Sequence, residues 1–115
     1  MVENHLYLHV SLNTPVIIND IINITREMRF WIVNNRISTY STYKIGDSVE
    51  HIHNVPENVF IYVESLLSLT PYKSYTLDIA EINHSGYKVL EVNCINTSGL
   101  YDIDVEKLIS DLENI

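Results

Sequence analysis

The chain opens on a strict alternation of apolar and polar positions. In HLYLHVSL, Leu6, Leu8, Val10 and Leu12 fall on one face and His5, Tyr7, His9 and Ser11 on the other, the period-two pattern of a half-buried strand. Thr14-Pro15 or Asn19-Asp20 then offers a helix start. The spacing of Ile21, Ile24, Met28, Trp31 and Ile32 predicts a first helix, closed by Asn34-Asn35.

Residues 36–55 read as a hairpin, RISTYSTYKI turning through Gly46-Asp47-Ser48 into VEHIHNV. A three-residue loop sets Ile45 against Val49, Tyr43 against His51 and Lys44 against Glu50, so that opposite charges meet. In NVPENVFIYVESLLSLTP, Pro56 and Glu57 suit a first helical turn and Thr70-Pro71 stops the run. Val59 to Val63 also fits a strand, but ESLLSL favours a helix. Such a helix is apolar on more than one side, which means deep burial or a subunit seam.

A second hairpin follows, YTLDIAEI and YKVLEVNCI flanking Asn83-His84-Ser85-Gly86. A four-residue loop pairs Ile82 with Tyr87, Leu77 with Val92, Ile79 with Leu90, Tyr75 with Cys94, and Glu81 with Lys88. After Gly99, Asp102 or Asp104 caps a last helix with Val105, Leu108, Ile109 and Leu112 as its buried stripe. The order β-α-β-β-α-β-β-α predicts a single α+β domain over residues 1–115. Its sheet is largely antiparallel, with about three helices packed on one face.

Composition adds limits. At 46% hydrophobic and 19% charged residues, the chain has material for a core and is not a disordered type. No apolar run approaches the length of a membrane span. The start MVENHLYLHV carries an acid where a signal peptide has a basic cluster. With one cysteine, Cys94, and hence no internal disulfide, these features suggest a reducing, cytoplasmic compartment.

The charge is uneven. Residues 1–55 hold five acids and four bases, a net of −1, and residues 56–115 hold ten acids and three bases, a net of −7. Nucleic-acid binding needs clustered Lys and Arg and is disfavoured. A protein partner with a basic surface suits the second half better.

Candidate chemistry is sparse. There is no G-x-S-x-G, G-x-G-x-x-G, P-loop or H-E-x-x-H, and the three glycines, Gly46, Gly86 and Gly99, each sit at a turn. His51 and His53 make half of a zinc site, with no third ligand fixed by spacing; packing accounts for them as well. Cys94, facing Tyr75 on the apolar side, reads as an inert small hydrophobe. Three Asn-x-Ser/Thr triplets, at Asn23, Asn83 and Asn96, are common by chance in an asparagine-rich chain. The eight tyrosines suit a binding surface or simple packing.

One feature opposes stability. The second hairpin sets Asp78 opposite Glu91 on the face away from the expected core, and like charges so placed repel. Solvent screening explains such a pair; so does an acidic spot awaiting a partner's Arg or Lys. With Asp102, Asp104 and Glu106, Asp78 and Glu91 form the expected partner-binding set. The sequence thus favours a small acidic binding protein over an enzyme. The expected role is an inhibitor or antagonist masking a basic surface, as in viral or phage anti-defence and immunity-type proteins of similar size and charge. The alternatives are a small-ligand binder for a nucleotide or metal, or minor enzyme, with a pocket at a homodimer interface, and a structural oligomer subunit. No cofactor, bound metal, catalytic residue or membrane partner is expected.

Overall fold

A computed structural model describes residues 12–18 and 21–115. The expected first strand, residues 5–12, lies outside them except for Leu12. The elements run β1 (Ile24–Val33), β2 (Arg36–Ile45), β3 (Ser48–Ile52), α1 (Val59–Leu66), β4 (Tyr75–Ile82), β5 (Gly86–Asn93) and α2 (Val105–Glu113), with short 3₁₀ turns at Leu67–Leu69 and Ile95–Thr97. The strands form one five-stranded sheet in the order β3-β2-β1-β4-β5, and every pairing is antiparallel. The α+β class is as the sequence predicts. Among the described residues no helix is long and apolar enough to cross a membrane.

The expected helix over 21–34 is instead β1, the central strand. Met28, Phe30 and Ile32 enter a core with Val59, Val63, Leu67, Leu77 and Ile79, while Trp31 and Val33 enter a second core with Ile103 and Leu108. A strand buried on both faces reads as a continuous apolar run, so its spacing mimics a helix. Two helices therefore flank the sheet rather than three. They also lie on opposite faces, α1 over the first core and α2 over the second, and not on one face as expected.

Asn34-Asn35 is the β1–β2 turn. Its φ values of 52° and 63° suit a two-residue hairpin with both central residues left-handed. Asparagine tolerates this conformation but glycine adopts it freely. Asn35→Gly is therefore expected to stabilise the domain by about 0.5–1 kcal/mol, seen as a raised melting temperature; an unchanged or lowered one would count against this turn geometry.

Both later hairpins form, with altered registers. Gly46 takes φ +58°, the β2–β3 turn closes in two residues, and Ile45 faces Ser48 while Lys44 faces Val49. Lys44 then reaches Glu27 on β1 at 3.4 Å rather than Glu50. In the β4–β5 hairpin the loop is one residue shorter than expected, so Ile82 faces Gly86, Glu81 faces Tyr87 and Ala80 faces Lys88. A bulge at Leu90 then shifts the register back, and Leu77 faces Val92 and Asp78 faces Glu91 as predicted.

The run Val59–Val63 is helical because Val59, Val63 and Leu67 form an i, i+4, i+8 stripe that seats on the sheet. Asp104, and not Asp102, caps α2. Its carboxylate accepts from Lys107 N at 3.0 Å, and its own N–H donates to Thr39 Oγ1 on β2 at 3.0 Å. Of the expected α2 stripe only Leu108 is buried and Leu112 partly so; Val105 and Ile109 are exposed.

Candidate functional site

The face of the sheet that carries α2 is only partly covered by it, and the remainder is polar. β1 and β4 pair with Arg29 directly opposite Asp78. Both residues point to this face because they alternate with the core residues Met28, Phe30, Leu77 and Ile79. The Arg29 guanidinium grips the carboxylate with two parallel bonds, Nε to Oδ1 at 2.8 Å and Nη2 to Oδ2 at 2.9 Å. Both side chains are withdrawn from solvent, Arg29 to 10% and Asp78 to 2% exposure. The bond to Asp78 raises the already high pKa of Arg29.

Around this pair sits an aromatic frame. The guanidinium carbon lies 5.4 Å from the Tyr43 ring centroid and 5.0 Å from that of Tyr101, and these two rings stack at 5.1 Å. Tyr43 Oη donates toward Glu27 at 3.3 Å and Asp78 at 3.4 Å. The Arg29 Nη1 donates to the carbonyl of Gly99 at 3.0 Å. Below, Thr76 Oγ1 bonds Ser98 Oγ at 2.8 Å, and Ser98 donates to Cys94 O at 2.9 Å, anchoring the segment after β5 to this face.

Burial, with the nearby charges of Asp78 and Glu27, drives Tyr43 ionisation far above the ordinary 10.0. Burial also raises Tyr75 and Tyr87. Such groups hold their proton more tightly in the fold. The stability they contribute is complete below pH 10.0, their unfolded value, and is lost as pH rises toward the folded values. Titration of the native chain by tyrosinate absorbance should therefore leave part of the eight tyrosines un-ionised well above pH 10 until unfolding exposes them. All eight titrating together near the ordinary value would contradict it.

The β4–β5 register adds two further oxygen-bearing side chains. Glu91 stands opposite Asp78 and Asn93 opposite Thr76, so Asp78, Glu91 and Asn93 share one face of one hairpin. Glu91 is exposed and has no ion-pair partner among the described residues. A cleft of about 330 Å³, lined by Tyr72, Ser74, Tyr75, Val92, Asn93, Cys94 and Thr97, opens at the Asn93 end.

Several expectations change here. The Asp78–Glu91 opposition holds, but Asp78 is no surface bait: its charge is answered inside the chain by Arg29. Asp102, Asp104 and Glu106 are exposed, with Asp104 serving the α2 cap. Cys94 is exposed rather than buried, because β5 ends at Asn93 and the chain turns away there. His53 stacks on Tyr40 at 4.9 Å, its Nδ1 2.9 Å from Tyr40 O, and His51 lies against Tyr101.

Arg29, Tyr43, Asn93 and Tyr101 escaped the sequence reading. The usable signals were the period-two patterns Glu27-x-Arg29 and Glu91-x-Asn93, each placing two functional groups on one side of a strand.

No curated protein and no solved structure matches the chain. A family model does, over residues 2–112, and it describes an ATP-grasp domain, family 3 of its clade. The match covers nearly the whole sequence, and the chain belongs to that ATP-grasp family.

Proposed function

We propose that this domain binds a nucleoside triphosphate as its magnesium complex on the face that carries Arg29, Asp78, Glu91 and Asn93. The observation that carries the reading is the hairpin register, which sets two carboxylates and an amide side by side next to a fixed guanidinium. Magnesium is a hard cation that takes oxygen ligands and is commonly held by one or two carboxylates together with substrate phosphates. The donor set fits it. Glu91 has no competing cation among the described residues, and the Asp78 carboxylate keeps lone pairs beyond the two that Arg29 uses.

Asp78, Glu91 and Asn93 would hold the metal. When bound, it would neutralise phosphate charge that the acidic chain would otherwise repel. Arg29, a planar fork already oriented by Asp78, suits a phosphate oxygen in a way that a lysine would not. The family description supports the same ligand. This is the small-ligand alternative of the sequence reading. The protein-antagonist reading has less support, because Asp78 is buried against Arg29 and Asp104 is engaged at the start of α2.

Isothermal titration tests it. MgATP is expected to bind the wild-type chain, and ATP in EDTA to bind much more weakly. Glu91→Gln, at an exposed position, should keep the fold and weaken MgATP by about tenfold or more. Equal affinity of the two proteins, or no MgATP binding by the wild type, would overturn the reading.

A further inference from the structure

We propose that Ser98–Asp102 is a strap that competes with the nucleotide for Arg29, so that ligand binding requires it to lift. The inference rests on the nucleotide reading and concerns the regulation of that site. Three observations carry it. First, the strap engages the group meant for phosphate: Gly99 O accepts from Arg29 Nη1, the donor left over after the Asp78 fork, and the Tyr101 ring lies over the guanidinium.

Second, the strap is held down by stacking that it alone supplies. Tyr101 packs on Tyr43 and against His51, and these contacts are absent once the segment lifts.

Third, its backbone is strained. Tyr101 and Asp102 sit at φ +52° and +62°, a conformation costly for residues with a Cβ and here not part of a hairpin turn. Gly99 is what lets the Tyr101 ring fold back, since a Cβ there would lie 3.2 Å from Cζ of that ring. A strained segment held by one stacked ring and one carbonyl is bistable, and its alternative state frees the Arg29 donor and face. While the strap is down, the apparent affinity for ligand falls by the fraction of molecules in the lifted state.

Two variants probe it from different sides. Tyr101→Gly removes the ring and accepts the positive φ without cost, and Gly99→Ala crowds the ring while keeping the tyrosine. By titration calorimetry with MgATP, both are expected to bind about fivefold or more tightly than wild type. Wild-type and variant affinities that agree would overturn the strap while leaving the nucleotide reading intact. Weaker binding by both variants would also overturn it, by making Tyr101 a ligand contact rather than a competitor. No binding by any of the three chains would remove the nucleotide reading and the strap with it.

Discussion

Replacing Asp78 with alanine is expected to destabilise the domain by about 3–5 kcal/mol. The carboxylate is 2% exposed and answers a guanidinium that is itself 10% exposed. Its removal leaves Arg29 with one carbonyl and two ring faces, and a buried charge without a counter-charge costs far more than a surface ion pair is worth. The loss should show as a lower urea midpoint at unchanged slope. The double variant Arg29→Met/Asp78→Leu should recover much of it, because removing both charges leaves neither uncompensated. A single-variant loss below about 1 kcal/mol would mean that the pair is solvated and that the site is not the closed cluster described.

A comparable loss, about 3–5 kcal/mol, is expected for Phe30→Ala. Phe30 lies on the central strand and is fully buried. Its ring meets Tyr40 at 6.0 Å and the edge of Phe60 at 5.8 Å, and Tyr40 and Phe60 meet each other at 5.0 Å. This triad joins β1, β2 and α1, so truncation opens a cavity that cannot close without moving the helix. Ile61→Ala is the matched control. Ile61 is on the same helix as Phe60 but 76% exposed, and its removal should change stability by less than about 0.5 kcal/mol. Equal effects of the two substitutions in denaturant unfolding would contradict the placement of α1.

How much of this was legible in the sequence differs from element to element, for physical reasons. The β4–β5 hairpin was legible because apolar alternation and turn chemistry agree; even there, the loop error and the Leu90 bulge cancelled, and Asp78 met Glu91 for reasons the pattern did not contain. β1 was not legible as a strand. Periodicity identifies elements with one wet face, and β1 has none along Arg29–Val33, where every residue is buried. That misreading hid the site. With Arg29 assigned to a helix, nothing placed it opposite Asp78, and the like-charge pair stood as an unexplained conflict. The sheet order resolves that conflict, since β1 lies between β2 and β4 and brings a cation to the buried acid. Tyr101 lay further out of reach, because a loop residue's partner depends on tertiary path and not on local spacing.

The most direct test of the central claim is to locate the metal. Manganese takes the same oxygen ligands as magnesium, and its paramagnetism broadens NMR signals of nuclei near it. With MnATP added to the labelled chain, selective broadening of Asp78, Glu91 and Asn93 is expected, reversed by excess MgATP and lost in Glu91→Gln. Broadening centred instead on Asp102, Asp104 and Glu106, or uniform weak broadening across the acidic surface, would contradict it.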